Sequence, residues 1–192
     1  SFLAALACVL CALPVAILAV RWPGRVSALI ERASYVGYAL PGIVGALSLG
    51  FFGANFAQAL YQTLALLVFA YVVLFLPQAL GAIRASLLQV SPNVENAARS
   101  LGLSPWRVAW TVTLPLVRPG LASGAALVFL TAMKELPATL LLSPLGFRTL
   151  TTRIWSAVSE AYYIQAAAPA LLLILASSIS VALLLASERR SV

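Results

Sequence analysis

Uncharged apolar runs alternate with short charged stretches along the chain. Residues 1–20 contain no charged side chain, and residues 33–83 form a much longer run that also has none. A helix needs about 20 apolar residues to cross a hydrocarbon core of roughly 30 Å. The first run is therefore long enough for one span, whereas the second needs a break, which the small polar turn 53–58 supplies. This pattern predicts membrane spans over residues 1–20, 34–52 and 59–80.

The remainder of the chain predicts two further spans. Residues 84–118 carry four Arg, one Glu and three Pro, and they are expected to form a loop outside the lipid, because unpaired backbone groups are too costly in hydrocarbon. Pro119 is then expected to open a fourth span that runs to residue 136, and residues 161–187 form the fifth. The predicted fold class is all-α, a polytopic membrane helical bundle with about five transmembrane helices.

Arginine distribution sets the expected orientation. In the five-span arrangement one side of the membrane holds Arg21, Arg25, Arg32, Arg84, Arg99, Arg107, Arg118, Arg189 and Arg190. The opposite side holds only Lys134, Arg148 and Arg153. The positive-inside rule places the 84–118 loop and the C-terminus in the cytoplasm. Ser1 then begins outside and within a span, with no signal-peptide pattern, so we expect at least one upstream helix to be missing.

Composition excludes several function classes. Apolar residues make up 62% of the chain and charged residues 9%, against roughly 45–50% and 25% in soluble domains. The net charge of +7 comes from scattered Arg and indicates topology, and no nucleic-acid partner is expected. His and Asp are absent, which removes Ser-His-Asp catalysis and His-ligated metals. Cys8 and Cys11 are interpreted as small packing residues, and no cofactor or metal site is predicted.

The 84–118 segment carries helix signals of its own. Ser91-Pro92 is typical of a helix start, and Gly102 suits a left-handed helix end. Four residues between these points, Val94, Ala97, Ala98 and Leu101, share one helical face. Ser104-Pro105 is a second start, and Leu114-Pro115 is expected to end that second helix. From the residues alone, an amphipathic helix lying on lipid headgroups remains an alternative for the first helix.

These residues resemble a known sequence pattern. ENAARSLG, followed after nine residues by VTLP, is similar to the EAA loop of type I ABC-transporter permeases. The matching residues are Ala97, Ala98, Gly102, Val112, Leu114 and Pro115. The Glu of the family pattern falls on Asn96, while Glu95 lies one residue earlier. The resemblance implies the type I ABC permease fold over residues 1–192, with 84–118 as the cytoplasmic coupling loop.

A second resemblance concerns the substrate. KELPATLLLSPLGFRTLTTRIW (134–155), EAYYIQAAAPALLL (160–173) and ALPGIVGALSLG (39–50) resemble the ferric-iron-uptake branch of these permeases. The implied function is that of an inner-membrane permease subunit that imports ferric iron. Thiamine, polyamine and phosphonate importers use similar strings and remain alternatives.

The resemblance also implies partners. Two cytoplasmic ATP-binding subunits would dock on the coupling residues Glu95, Asn96, Ala97, Ala98 and Gly102. A second permease half, fused or separate, would complete the pathway in the membrane lipid, and a periplasmic binding protein would deliver the substrate. The chain has no phosphate-binding loop of its own, so we expect it not to be an enzyme and ATP hydrolysis to reside in the partner.

Charged and aromatic residues near the opposite face leave several interpretations open. Lys134 and Glu135 either anchor a neighbouring helix or line the outer cavity of the pathway. Three further charges, Arg148, Arg153 and Glu160, are expected in external loops that meet the binding protein. Tyr162 and Tyr163 favour an aromatic belt over ferric ligands, and Trp106 and Trp110 are expected to be membrane-interface anchors.

Two other classes of function compete with the importer. A proton-coupled secondary transporter needs a titrating membrane carboxylate, for which Glu135 is the candidate. An intramembrane enzyme would need a dyad of Lys134 with Ser or Glu, and the sequence lacks the corresponding nucleophile elbow.

Overall fold

The computed structural model describes residues 1–189, with side-chain surroundings up to residue 182; Arg190 of the predicted tail lies outside this range. The described chain is helical, and its elements in order are α1 (Phe2–Arg21), α2 (Arg25–Ser34), α3 (Val36–Ala39), α4 (Gly42–Phe56), α5 (Leu64–Gln89), α6 (Pro92–Ser100), α7 (Pro105–Val108), a π-helical turn (Ala109–Thr113), α8 (Leu114–Lys134), α9 (Pro137–Leu142), α10 (Leu150–Ser159) and α11 (Tyr163–Arg189). Among the described residues, four helices are long and apolar enough to span a membrane, or five if one bent pair counts as a span. The all-α bundle of about five spans is thus confirmed.

Helix α5 forms the centre of the bundle. It packs along both α1 and α8, and it buries large side chains at Leu80, Ile83 and Leu87. Helix α1 turns the small residues Ala12 and Ala16 inward, which allows the helix backbones to come close. Because lipid tails are as apolar as leucine, such close van der Waals packing is what holds membrane helices together.

Gly120 and Gly124, a G-x-x-x-G pair, lie at the contact between α5 and α8. A Cβ added at Gly124 would lie 3.3 Å from both the Cα and the carbonyl oxygen of Ala79. One added at Gly120 would overlap the Cβ of Ser86 and lie 3.0 Å from the carbonyl oxygen of Ala82. Both glycines therefore allow α8 to approach the α5 backbone more closely than alanine would.

The span predicted over residues 34–52 is present as part of a bent pair of helical segments. Residues Arg25–Ala39 and Gly42–Phe56 form a pair of helical segments bent by 105°. Between them Leu40 has extended backbone angles, φ −99° and ψ 142°. Proline disfavours a helical conformation in the residue before it, so Pro41 ends one segment and starts the next. The uncharged run of residues 33–83 is apolar on both sides of Pro41, so hydropathy does not reveal this break.

Boundaries of two predicted loops were wrong. The connection between the first and second predicted spans, residues 21–32, contains most of α2. Helix α4 continues into the predicted 53–58 turn as far as Phe56, and the third span begins at Leu64 and not at 59. That span runs on to Gln89 and includes Arg84, whose Nε lies 3.1 Å from the Glu31 Oε1 of α2. A helix continues past the end of its apolar run when its polar end finds partners outside the hydrocarbon.

The fourth span begins earlier than predicted. Residues Pro105–Lys134 form one helical stretch of 30 residues, so Leu114-Pro115 does not end a helix and Pro119 does not open one. Pro115 lies in the first turn of α8, directly after the π-helical turn. Pro119 lies inside α8, where proline is tolerated because neighbouring helices and local adjustments satisfy the freed carbonyl.

Replacing Gly120 by Ala should lower the free energy of unfolding by about 1–3 kcal/mol, the usual cost of overpacking a close contact. Gly81→Ala is the matched control within α5, because a Cβ at Gly81 meets no atom within 4 Å, and alanine is the better helix former. Denaturation of both variants in detergent micelles measures the difference. Equal stability of the two proteins would contradict the packing role of Gly120.

Candidate functional site

Helix α6 is a short helix with well-defined ends, as its sequence predicted. The Ser91 Oγ accepts a hydrogen bond from the Asn93 N–H at 3.3 Å, and Pro92 occupies the first turn. At the other end Gly102 has φ +87°, and the Leu103 N–H donates to the Ala98 carbonyl at 3.3 Å. This left-handed ending satisfies a carbonyl that would otherwise be unpaired and directs the chain back toward the bundle.

The second helix signal is confirmed as well. The Ser104 Oγ accepts from the Arg107 N–H at 3.4 Å, which begins α7, and the π-helical turn and α8 follow without interruption. As a result α6 is held between two helical stretches, α5 before it and α7–α8 after it. A displacement of α6 must be accommodated by one or both of them.

The five predicted coupling residues divide between two faces of this segment. Asn96, Ala97 and Gly102 are exposed, whereas Glu95 and Ala98 are buried. Val94 and Leu101 add apolar surface to the exposed side, and Leu101 is 85% exposed. The outer face of α6 thus combines small and apolar groups without a carboxylate, while its one acidic side chain faces the bundle.

Glu95 is held by a buried ion pair that sequence reasoning did not find. Its Oε1 accepts from the Arg21 Nε at 3.1 Å and from the Thr113 Oγ1 at 3.0 Å. The Arg21 guanidinium also donates to the Val90 carbonyl at 3.0 Å. No local pattern could show this cluster, because its members come from four separate elements of the chain.

Two tryptophans flank the same region. Trp106 and Trp110 pack edge to face with ring centroids 5.6 Å apart, and both are more than half exposed. They line an apolar groove of about 250 Å³ together with Leu13, Pro14 and Ile17 of α1. Exposed indole rings beside an apolar groove fit the predicted role of interface anchors.

At the opposite end of α8 the adjacent residues Lys134 and Glu135 have different surroundings. Lys134 is exposed and belongs to neither of the two ion pairs found among the described residues. Glu135 ends α8, and its Oε1 accepts from the Ala138 N–H at 3.2 Å, which caps α9. A Cβ added at Gly42, just after the Pro41 break, would lie 3.8 Å from the same Oε1.

A chain of polar contacts, also missed from sequence, ties this junction to the core. The Tyr71 hydroxyl lies 2.6 Å from the Thr139 Oγ1, and Thr139 in turn donates to the Glu135 carbonyl at 2.7 Å. The Thr151 Oγ1 reaches the same carbonyl at 3.4 Å. These hydroxyls satisfy backbone groups that are freed where α8 ends and α9 begins, so α5, α9 and α10 are joined at one point.

The remaining predicted outer residues line one open cavity. It has a volume of about 740 Å³, and Arg148, Arg153, Glu160, Tyr162 and Gln165 contribute to its walls. Tyr163 is exposed. Among the described residues no three His, Cys, Asp or Glu side chains are grouped as a metal site requires. The cavity walls thus combine two arginines, one glutamate and several hydroxyl and amide side chains with apolar residues.

The chain is similar to known transport-system permeases. The family described as "Binding-protein-dependent transport system inner membrane component" matches residues 9–191. The chain is 45% identical over 184 residues to the Fe(3+)-transport system permease protein FbpB 2 of Haemophilus influenzae, covering 96% of this chain and 36% of that protein. It therefore spans little more than a third of that relative's length. It is 30% identical to the putative 2-aminoethylphosphonate transport system permease protein PhnV of Salmonella typhimurium, covering 98% of this chain and 70% of that one.

A solved structure supports the fold. The permease fold of the MetNI methionine ABC transporter, captured in inward-facing conformations, superimposes with a TM-score of 0.75. The match covers 98% of this chain and 88% of the MetNI chain at 17% sequence identity. The predicted type I permease fold is therefore confirmed.

Variants of the Lys134–Glu135 pair should differ in stability. Glu135→Leu removes the acceptor for the Ala138 N–H and should lower the free energy of unfolding by about 1 kcal/mol, as expected for a lost helix cap. Glu135→Gln keeps an oxygen at that position and is the matched control. Lys134→Met should stay within about 0.5 kcal/mol of the original, since the side chain is exposed and unpaired. Detergent unfolding of the three variants tests this; equal losses for Glu135→Leu and Glu135→Gln would disprove the capping role.

Proposed function

Because this chain belongs to the family of binding-protein-dependent transport system inner membrane components, we propose that it is a membrane-spanning permease of an ATP-driven importer. The observation that carries the proposal is α6 itself. It is a short capped helix between two spans, and its outer face offers Val94, Ala97 and Leu101 to another protein. A small apolar surface of this kind allows close backbone approach by a partner.

The partner on α6 is proposed to be a cytoplasmic ATP-binding subunit, one on each permease half. Asn96, Ala97 and Gly102 form the docking surface in this proposal, with Arg99 and Arg107 exposed beside it. ATP is hydrolysed in that subunit. In this proposal the docked cytoplasmic ATPase places α6 on the inner side of the membrane. The arginine distribution supports that side, and the two spans proposed after α6 return the chain to it.

A second permease half and a periplasmic binding protein complete the assembly. Helix α11 exposes a series of large apolar side chains, namely Leu171, Leu172, Ile174, Leu175 and Ile179. Such a surface requires either membrane lipid or another apolar helix. At the far end of the bundle, the open cavity with Arg148 and Arg153 is the surface on which we place the binding protein.

Ferric iron is the proposed substrate. The support is the 45% identity to an Fe(3+)-transport permease over nearly the whole chain, against 30% to a putative 2-aminoethylphosphonate permease. Within the chain, Lys134 and Glu135 border a small cavity together with Leu130 and Thr131. We propose that Glu135 contributes a carboxylate oxygen to the outer part of the pathway in addition to capping α9.

Docking on α6 can be tested at Gly102. Its φ of +87° strains any residue with a Cβ by roughly 1–2 kcal/mol, so Gly102→Asp should distort the end of α6 and reduce co-purification of the ATPase by about tenfold or more, as a defect of 1.4 kcal/mol or greater at a docking site would. The matched control is Gly146→Asp, because Gly146 also has a positive φ, +78°, and equally open surroundings, but it follows α9 at the other end of the bundle. Equal ATPase recovery from both variants would falsify the docking site.

The substrate can be tested by uptake into cells that contain the complete transporter. We expect radioactive ferric iron to accumulate in an ATP-dependent manner, and a hundredfold excess of 2-aminoethylphosphonate to leave its rate unchanged. Collapse of the proton gradient at constant ATP should also have no effect. Iron uptake that is absent while 2-aminoethylphosphonate accumulates would overturn the iron assignment and leave the importer function in place.

A further inference from the structure

A single carboxylate oxygen joins α6 to the rest of the bundle. The Glu95 Oε1 accepts hydrogen bonds from Arg21 at the end of α1 and from Thr113 at the end of the π-helical turn, at 3.1 Å and 3.0 Å. Arg21 extends the connection by donating to the Val90 carbonyl, the residue that ends α5, at 3.0 Å. The ends of α1 and α5 and the π-helical turn that leads into α8 therefore meet α6 through the Glu95 carboxylate and the arginine that pairs with it.

The Arg21–Glu95 ion pair is more deeply buried than the other ion pair found among the described residues. The Arg21 and Glu95 side chains are 11% and 7% exposed, whereas those of the second ion pair, Arg84 and Glu31, are 44% and 21% exposed. A buried charge that loses its partner is far more costly than an exposed one. Separating Glu95 from Arg21 would leave a buried charge unpaired, so Glu95 and its partners are expected to move together. The Arg84–Glu31 pair is exposed enough for water to replace either partner.

We propose that Glu95 is a positioning residue that carries the movement of α6 into the membrane, and that it does not contact the ATPase. When the docked subunit displaces α6, the ion pair transmits that displacement to α1 and α5, and the Thr113 hydrogen bond transmits it to α8. This proposal rests on the proposed function, because it assumes that α6 is the ATPase-binding helix.

Helix geometry explains why the carboxylate faces inward. The family pattern that the sequence resembles has its Glu at the position of Asn96, which is exposed here. Successive residues on an α-helix are rotated by about 100°. A shift of the acidic residue by one position therefore moves it from the partner-facing surface to the surface that contacts Arg21 and Thr113. In this chain the outer face keeps an amide in place of the charge.

The π-helical turn that contains Thr113 has an unusual backbone geometry. Ala109–Thr113 is a π-helical turn, a rare conformation that is frequently found at functional sites. Thr113 is its last residue, directly before the first turn of α8, and its hydroxyl is buried against Glu95. The Thr113–Glu95 hydrogen bond is therefore made where the helical stretch from α7 to α8 departs from regular α-helical geometry.

The experiment uses the complete transporter, with its ATPase and binding protein, reconstituted in lipid vesicles. Glu95→Gln keeps an acceptor for Thr113 but removes the charge that pairs with Arg21. We expect normal insertion and normal ATPase co-purification, and a fall of about fivefold or more in ferric iron transported per ATP hydrolysed, the lower range of typical coupling between sites. The exchange Arg21→Glu with Glu95→Arg should restore part of this ratio, because it restores the ion pair.

Two further variants complete the test. Glu31→Gln removes the carboxylate of the exposed ion pair on α2 and should leave the ratio unchanged. Thr113→Val removes one hydrogen bond at nearly constant volume and should lower the ratio even if Glu95→Gln does not insert. An unchanged ratio in Thr113→Val and Glu95→Gln overturns the proposal, and so does loss of ATPase co-purification in Glu95→Gln, which would make the carboxylate a partner contact. A wild-type chain that retains no ATPase would instead overturn the proposed function itself.

Discussion

Close packing of α5 against α1 and α8 is the constraint on which the other elements depend. Both contacts rely on small residues, alanines on α1 and a glycine pair on α8, and neither could form with ordinary side chains between the helices. Because the three helices have fixed relative positions, the ends of α1, α5 and the π-helical turn come together beside α6. The same packing at the other end brings Tyr71 of α5 within reach of α9. Both polar clusters are therefore consequences of one apolar interface.

Interruptions between helices are places where the bundle holds hydrogen-bonded polar side chains. Apolar surroundings demand that each freed backbone group find a partner, and at several breaks in this chain a side chain is that partner. Ser91 and Ser104 accept hydrogen bonds at the starts of α6 and α7, while Glu135 and Thr139 bond to backbone groups at the junction of α8 and α9. The breaks that such caps stabilise are also the places where polar groups stay available inside an otherwise apolar protein. Structural need and candidate function coincide at these points for the same physical reason.

Local features could be predicted from the sequence, and distant ones could not. The starts at Ser91 and Ser104 and the left-handed Gly102 depend on a few neighbouring residues, so the expected and observed conformations agree. The end of the third span was mispredicted because Arg84 lies inside a helix, and hydropathy does not mark the bend at Pro41 within an uncharged run. The inward orientation of Glu95 was beyond prediction, because it depends on Arg21, which is 74 positions away. Side-chain partners across such separations are set by packing, which periodicity does not encode.

Lys134 is the only lysine in the sequence, and it lies exposed where α8 gives way to α9. The chain therefore has one side-chain amine, placed at the boundary between its two unlike parts. Everything from α1 to α8, including α6 and its ion pair, precedes that amine, and the polar cavity and α11 follow it. A lysine-specific protease can cut the chain at this single position, and an amine-reactive dye can attach to one side chain. The amine thus separates the α1–α8 part of the sequence from the segment that lines the open cavity.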